Sequence, residues 1–264
     1  MRALLCLILL PLSVLPLRAQ DHLYFPQFGD GSLAGLQVRT TLLFVNTGPA
    51  ATVTVEFFDA QGQPLVISAE GISDSQRVIE LQGGQGLSLQ TSGEGSQQNP
   101  LALGYARIEA PDGVEASAVF SIRDLDSGVL LSESAVAAVR PLQSFTILFD
   151  STGPLSTGLA LVSTGEEEGL LSVTLRDSQS QEIAQRQVAV QPGQRISAFV
   201  PELLELEAGQ ADEMRGSLTV VSQAGPVAAI TLRQLAEVSF PMGVPALTTF
   251  PVAPGAASQQ APPR

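Results

Sequence analysis

The sequence has little of the side-chain chemistry on which most hydrolases depend. Among its 264 residues there is one cysteine, Cys6, and one histidine, His22. Cys6 lies in a leader segment that we expect to be removed, so the mature chain would have no disulfide, no thiolate nucleophile and no cysteine metal ligand. His22 would stand close to the mature N-terminus, where a fraying backbone holds a catalytic base poorly. A nucleophile–base triad is therefore not expected.

Basic and aromatic residues are also scarce. All 13 basic residues are arginines, they form no cluster, and the formal net charge is −13. Because nucleic-acid binding needs a basic patch that neutralises phosphates, this charge excludes nucleic acid as the expected partner. The chain has no tryptophan and two tyrosines, so it offers few aromatic platforms on which sugar rings could stack.

The first residues, MRALLCLILLPLSVLPLRAQD, have the pattern of a secretory signal peptide. Arg2 provides the charged start, Ala3–Leu10 form the apolar run, and Ala19 is a small residue at the exit. The run is too short and too rich in proline to remain as a membrane span. We therefore predict a signal peptide over residues 1–19 and a secreted or periplasmic protein that does not insert into the membrane after cleavage.

One stretch of the mature chain recurs later. LLFVNTGPAATVTVEFFDAQGQPL, residues 42–65, is similar to LALVSTGEEEGLLSVTLRDSQSQEI, residues 159–183. In each copy apolar and polar residues alternate with a period of two, which is typical of a strand with one buried face. A turn sequence, DAQGQ or DSQSQ, then follows. The residues expected on the buried faces are Val53, Val55, Phe57, Leu171, Val173 and Leu175.

The similarity continues in the same order beyond this hairpin. GGQGLSL (83–89) corresponds to PGQRISAF (192–199), and GYARIEAPDGVEASAVFSIRD (104–124) corresponds to GSLTVVSQAGPVAAITLRQ (216–234). A nearly constant offset, broken only by loop-sized changes, indicates duplication of one module of about six short strands. We predict an all-β fold of two tandem antiparallel β-sandwich, immunoglobulin-like domains, over residues 22–140 and 141–250.

Two segments depart from the strand pattern. Val200–Gly209 predicts one short helix in the second module, because Pro201 can begin a helix and Gly209 can end it. Residues 251–264 contain too little non-proline apolar sequence to fold, so we predict a disordered tail. No Gly/Ser-rich or Pro-rich linker separates the modules, and we expect them to pack together with Phe25–Phe28 as a candidate contact.

A family resemblance rests on several strings spread along the chain. LYFPQFGDG, TTLLFVNTG, VTVEFFDAQGQPL, GYARIEA, ASAVFSIRD and LSESAV, followed by FTILFDSTGPLSTGLALVSTG, resemble a tandem all-β, immunoglobulin-like module of secreted proteins from environmental bacteria. The resemblance covers about residues 22–250. Similarity to this functionally uncharacterised family implies the fold and export, and it implies no activity and no site residue.

The remaining candidates for chemistry are carboxylates. Asp124, Asp126, Asp150 and the triplet Glu166–Glu168 could serve a glycosidase, which needs two facing acids. The triplet occupies a hairpin turn, and RDLDSG around Asp124 and Asp126 is a tight turn that also has part of the pattern of a calcium loop. We assign these acids to turns, with a weak calcium contact at Asp124 and Asp126 as the alternative. No catalytic, cofactor-binding or metal residue and no cofactor is predicted.

The function predicted from these features is that of a non-enzymatic, exported structural or interaction module of the cell envelope or extracellular space. Its partner would be a protein or a glycan at the cell surface. The alternative is a carbohydrate-binding module or a carboxylate-only glycosidase. That alternative needs a concave face with convergent carboxylates or exposed aromatic side chains.

Overall fold

The fold consists almost entirely of β-strands. A computed structural model of the chain describes residues 22–96, 99–235 and 246–255, and these residues form 19 strands and one helix of five residues. The predicted all-β class is confirmed. The predicted signal peptide lies outside the described residues. Within them, no helix has the length and apolar character that a membrane span needs.

The first half of the chain, residues 22–140, contains ten strands. They are β1 His22–Leu33, β2 Leu36–Asn46, β3 Ala51–Phe58, β4 Ile67–Ala69, β5 Ile72–Asp74, β6 Gln76–Leu81, β7 Gly86–Gln90, β8 Leu101–Glu109, β9 Val114–Asp124 and β10 Leu130–Ala137. Eight of them form one sheet of order β10-β9-β2-β1-β8-β3-β6, in which β7 also pairs with β2. β4 and β5 form a separate pair.

Strand β1 connects the two groups of strands within this sheet. It pairs with β8 along most of its length, with a bulge between Phe25 and Phe28, and its last residues pair with the start of β2. Gly31 lies at this crossing with φ 127°, and a Cβ there would stand 2.0 Å from the carbonyl oxygen of Pro100. Only glycine fits, because any side chain would collide with that backbone.

The second half, residues 141–255, contains nine strands and the helix. They are β11 Ser144–Asp150, β12 Leu155–Ser163, β13 Gly169–Asp177, β14 Glu182–Val190, β15 Arg195–Phe199, α1 Val200–Leu204, β16 Arg215–Ser222, β17 Val227–Leu235, β18 Ala246–Thr248 and β19 Ala253–Pro254. One sheet has the order β14-β13-β16-β11-β19, and the other has the order β15-β12-β17-β18. Every pairing is antiparallel.

The buried faces of β3 and β13 are the ones that the alternation predicts. A register shift of one residue would instead have buried Glu56 and Arg176, which are charged. The side chains that fill the two hydrophobic cores at 0–1 % exposure are Val53, Val55 and Phe57 in the first half and Leu171, Val173 and Leu175 in the second. This prediction is confirmed.

The two predicted aspartate turns have the same hydrogen bonds. The Oδ1 atom of Asp59 accepts from the backbone N–H groups two and four residues further on, at 2.9 Å each. Asp177 accepts from the corresponding groups at 2.8 and 2.9 Å. Gly62 has φ 79° in the first turn, and Ser180 takes the same left-handed conformation, φ 65°, in the second.

The predicted helix exists but is shorter than expected. It ends at Leu204, and the predicted end at Gly209 is wrong. Glu205 adopts a left-handed conformation with φ 54°, and its N–H donates to the carbonyl of Glu202 at 3.1 Å. This turn redirects the chain once Leu203 has packed into the second core.

The segment assigned to a tail, residues 251–264, is described as far as residue 255. Ala253–Pro254 pair with β11 opposite Phe145 and Thr146, and Val252 packs against the second core. The folded chain therefore extends five residues into that segment, because β11 still has a free edge to which they can bind. Residues 256–264 lie outside the described part.

Candidate functional site

Asp124 and Asp126 lie in the turn between β9 and β10, as the sequence predicts. The Asp124 carboxylate accepts hydrogen bonds from the N–H of Ser127, at 2.7 Å, and from the Ser127 hydroxyl. These bonds hold the pKa of Asp124 below its ordinary value. The carboxylate is thus used by its own turn. Within the described residues, no three His, Cys, Asp or Glu side chains are grouped so as to hold a metal ion.

Asp150 ends β11 and is only 5 % exposed. Its carboxylate accepts from the backbone and hydroxyl of Thr152, at 3.0 and 2.6 Å, and pairs with Arg215 at 3.3 Å and Arg233 at 3.4 Å. Burial opposes ionisation, but the bonds from Thr152 and the charge of Arg215 outweigh it and lower the pKa of Asp150. The side chain therefore serves as a charged anchor between strands.

Asp30, in β1, is a fully buried acid that the sequence interpretation did not single out. Its two carboxylate oxygens accept from the N–H groups of Gly93, at 2.7 Å, and Gly95, at 3.1 Å. Burial raises the pKa of Asp30 despite these bonds. Asp30 holds the loop before β8 in place. The available signal was an aspartate between two glycines, GDG, inside a strand pattern.

The remaining candidates from the sequence, Glu166–Glu168 and His22, also make contacts that stabilise the fold. Glu166–Glu168 form an exposed turn between β12 and β13, where Glu168 accepts a hydrogen bond from Gln191 at 2.8 Å. His22 is not a frayed leader residue as expected. It begins β1 opposite Glu109, and its ring lies edge-on to Tyr24 with a centroid distance of 6.5 Å. The pairing with β8 fixes this end of the strand.

The two tyrosines of the chain meet at the boundary between the halves. Tyr24 and Tyr105 are nearly buried, on β1 and β8, and pack against Val162 and Ala228 of the second half. Beside them lies a cavity of about 140 Å³, which we call the inter-half cleft. The first half contributes Tyr24, Tyr105 and Arg107 to its lining, and the second half contributes residues 162–165 and Gly193.

The charges at this cleft are balanced. Arg107 pairs with Glu56 at 2.6 Å, and its guanidinium lies 5.3 Å from the ring centroid of Phe58, which in turn stacks on Tyr105 at 5.0 Å. Burial raises the pKa of Tyr24, and it raises that of Tyr105 to about 12. Both phenols are therefore neutral hydrogen-bonding groups at physiological pH.

Ser163 places an unpaired hydroxyl at the cleft. The residue is 1 % exposed, and its Oγ atom has no hydrogen-bond partner among the described residues. Buried hydroxyls normally find a partner, because an unpaired one costs about 1–3 kcal/mol. The sequence analysis did not single out this serine. No local pattern could have shown that the first half would enclose it.

Arg195 connects the halves beside the cleft. Its backbone N–H donates to the carbonyl of Ala60 at 2.9 Å, its Nε to the carbonyl of Pro26 at 3.0 Å, and its Nη2 to the side chain of Gln27. Burial lowers the pKa of Arg195 to about 10. The two halves are in contact, as expected. Pro26 and Gln27 accept these hydrogen bonds, and the phenylalanines that flank them belong to a core cluster that also includes Ala160 and Ile230 of the second half.

A second surface is formed by the turns of the β1–β2 and β9–β10 hairpins. The two turns touch through a hydrogen bond of 2.9 Å from the N–H of Leu125 to the carbonyl of Gly35. Four aliphatic side chains project there, and we call them the apolar tip: Leu33 (60 % exposed), Leu125 (46 %), Val129 (56 %) and Leu130 (43 %). Isolated exposed aliphatic residues are ordinary, whereas a group of them on adjacent turns is a candidate contact surface.

Comparison with known proteins assigns no role to the inter-half cleft or to the apolar tip. No protein-family model matches the sequence, and no curated protein is similar to it. The functional interpretation therefore rests on the geometry of the apolar tip, the inter-half cleft and the engaged carboxylates.

Proposed function

We propose that the protein is a non-enzymatic interaction module that acts outside the cytoplasm and binds a partner protein through the apolar tip. The signal-peptide pattern of residues 1–19 supports export to the periplasm, the envelope or the extracellular space. The structural bonds of Asp30, Asp124 and Asp150 support the absence of catalysis, since each carboxylate already holds a turn, a loop or a strand end.

We further propose that the two halves are copies of one β-sandwich module. The order β7-β2-β9-β10 in the first half corresponds to β15-β12-β17-β18 in the second. Likewise, β6-β3-β8-β1 corresponds to β14-β13-β16-β11. Because β2, β3, β7, β8 and β9 and their counterparts lie in the matched segments of the sequence, this agreement supports a duplication. Alternate buried residues on both strand groups support packing of two layers about each core.

Backbone hydrogen bonds at corresponding turns support the same proposal. The N–H of Asn46 donates to the carbonyl of Gln85 at 2.9 Å, and its carbonyl accepts from Gly84 at 2.8 Å. Ser163 makes both bonds at its own turn, each at 3.0 Å. Asn46 and Ser163 end corresponding strands, so the agreement concerns geometry and not merely composition.

A buried threonine is used in the same way in each half. The Thr40 hydroxyl donates to the carbonyl of Gly29 at 2.7 Å and accepts from its N–H at 3.2 Å. Thr157 makes the same two bonds with Asp150, at 3.0 and 2.9 Å. The same reciprocal contact thus joins β1 to β2 and the corresponding strands β11 and β12, which favours common descent of the two halves.

The observation that carries the interaction role is the apolar tip. Its four side chains project from tightly hydrogen-bonded turns, so binding would cost little conformational entropy. Asp124 and Asp126 border the tip in a chain of net charge −13. A complementary partner would present an apolar groove with a basic rim. A protein supplies such a groove, whereas an anionic lipid surface would be repelled.

Site-specific photo-crosslinking in cells that export the protein tests this role. A crosslinker at Leu33 should capture one defined protein, and a crosslinker at Val78, which is similarly exposed on β6, should not. The purified partner should then bind Leu33→Ser/Val129→Ser at least about tenfold more weakly than the unchanged protein, because each lost aliphatic contact is worth about 1.5–3 kcal/mol when fully buried.

Three results would overturn the role of the tip. The first is the same capture pattern from both crosslinker positions. The second is equal affinity of the double variant and the unchanged protein. The third is capture of a second copy of this chain alone, which would make the tip a self-association surface.

A further inference from the structure

We propose that the N-terminus of the mature, exported chain binds one Cu(II) ion through Gln20, Asp21 and His22. The ligands are the free amine of Gln20, the backbone nitrogens of Asp21 and His22, and the Nδ1 atom of the His22 ring. This site is separate from the apolar tip. It rests on the proposed export, because the free amine exists only after residues 1–19 have been removed.

The position of the only histidine is the first reason to expect a metal ion. Removal of residues 1–19 makes His22 the third residue of the mature chain, after Gln20 and Asp21. A histidine in third place lets one ion close five-membered rings between successive backbone nitrogens and a six-membered ring from the His22 nitrogen to Nδ1. Four nitrogens arranged in one plane suit Cu(II) best and Ni(II) next.

The ring of His22 leaves the required nitrogen without a protein partner. Nδ1 is buried and has no hydrogen-bond partner among the described residues. Buried polar atoms normally have one, and a neutral imidazole nitrogen is a common metal ligand. A metal ion held here needs no open pocket, because the other three nitrogens belong to the chain end directly before the ring.

The sheet does not use the backbone nitrogen of His22 either. Tyr24, two residues later, donates its N–H to the carbonyl of Val139 and accepts from the N–H of Val139, at 2.9 Å each, on the side of β1 away from β8. Because backbone groups alternate between the two sides of a strand, the N–H of His22 also points away from β8. Cu(II) can therefore replace that proton without breaking the β1–β8 ladder.

The charge of the chain favours a cation at this end. Glu109 lies opposite His22 in the ladder, Asp21 precedes His22, and the chain carries a formal net charge of −13. A negative field raises the local concentration of cations. On binding, the Gln20 amine and the two backbone nitrogens release their protons to solvent, and neutral Nδ1 contributes its lone pair. The affinity for Cu(II) should therefore rise with pH.

Titration of the purified exported chain with Cu(II) tests the proposal. Mass spectrometry first establishes whether the chain begins at Gln20 with a free amine. Cu(II) should then bind at one ion per chain, with the visible absorption and EPR spectra of a square-planar site of four nitrogens. Its affinity should increase from about pH 6 to about pH 8. Zn(II), which prefers a tetrahedral arrangement, should bind at least about tenfold more weakly.

Asp21→Pro is the sharpest variant, because proline has no backbone N–H whose proton Cu(II) could replace. It should weaken Cu(II) binding at least about tenfold and abolish the four-nitrogen spectrum. Asp21→Asn is the matched control, and it should keep that spectrum. One glycine added before Gln20 moves His22 to fourth place and should act as Asp21→Pro does, although every residue of the described strands is unchanged.

The outcomes separate this site from the proposed function. A chain that begins at another residue, or that lacks a free amine, would overturn the Cu(II) site and leave the role of the apolar tip untouched. A chain that still begins at Met1 would refute the export as well. Equal Cu(II) affinity and spectra for Asp21→Pro and Asp21→Asn, or for the glycine-extended and unchanged chains, would overturn the site in a correctly processed protein.

Discussion

At the scale of single residues, Asp59, Asp124 and Asp177 are accounted for by local geometry. Asp59 and Asp177 hold hairpin turns, and the same position in each turn requires a left-handed backbone. These roles could be predicted from the sequence, because an aspartate bonds to N–H groups only a few residues away. The roles of Asp30 and Ser163 could not, because their surroundings come from residues far along the chain.

The first prediction compares the two left-handed turn positions. Ser180→Gly should stabilise the protein by about 0.5–1 kcal/mol, because glycine adopts φ 65° without the penalty that serine bears. Gly62→Ser is the matched reverse change. It should destabilise by about 1–3 kcal/mol, since a Cβ there would also approach the carbonyl oxygen of Gly193 to 2.9 Å. Urea unfolding measures both, and equal effects of the two changes would contradict the geometry.

The second prediction concerns acid stability. The pKa of Asp150 is lower in the folded chain than its ordinary value of 3.8. Its ionised form therefore contributes stability that is present above pH 3.8 and is lost as the pH falls through the lower folded value. Asp150→Asn should lower the unfolding free energy at pH 7 and flatten its decline below pH 4. Unfolding midpoints measured from pH 7 to pH 2.5 provide the test.

Asp30→Asn is the control with the opposite sign. Burial raises the pKa of Asp30 above 3.8, so this group contributes stability below that pH and loses it as the pH rises through the higher folded value. Its removal should therefore steepen the net loss of stability on acidification. If the slope of the unfolding free energy against pH changed in the same direction in both variants, the surroundings assigned to Asp150 and Asp30 would be wrong.

At the scale of elements, the period-two pattern identified β3 and β13 and their buried faces, but the halves contain ten and nine strands where about six each were expected. The helix was recognised from its proline and acidic residues, but its end was not, because Glu205 terminates it by a conformation that its residue type rarely adopts. The bulge in β1 and the short strand β19 were likewise missed. The bulge depends on the pairing of β1 with β8, and β19 depends on the edge of β11, so both depend on a strand from another part of the chain.

The third prediction tests the buried face of β3. Phe57→Ala should lower the free energy of unfolding by about 3–5 kcal/mol, because Phe57 is 1 % exposed and packs against Phe28 with a centroid distance of 5.2 Å. Val78→Ala on the neighbouring strand β6 is the control, and it should change stability by no more than about 0.5 kcal/mol. A loss near zero for Phe57→Ala would mean that the other face is buried.

At the scale of the whole molecule, the two halves pack against each other and present two surfaces. The lack of a linker predicted the contact between the halves, but not its chemistry. Arg195 reaches Pro26 and Gln27 from a position about 170 residues later, as the hydrogen bonds show. No local pattern encodes such a pairing, so the inter-half cleft could not be found in the sequence.

The fourth prediction is that the purified mature protein hydrolyses no ester, peptide or glycoside. The candidate carboxylates Asp124 and Asp150 are engaged in structure, and the one histidine is held at the start of β1. Chromogenic esters, peptides and a panel of polysaccharides provide the assay, with Asp124→Asn and Asp150→Asn in parallel. Turnover of a polysaccharide that either change abolishes would establish a carboxylate glycosidase and refute the non-enzymatic role.

We expect the halves to form one body with a fixed arrangement, which holds the cleft together and supports the tip. Small-angle X-ray scattering of the purified mature chain tests it most directly. The scattering should show one compact particle whose distance distribution has a single narrow inter-half separation, because Arg195 and the Tyr24–Val162 contact bind the halves to each other. A broad distribution of separations, as for two domains on a flexible tether, would contradict it.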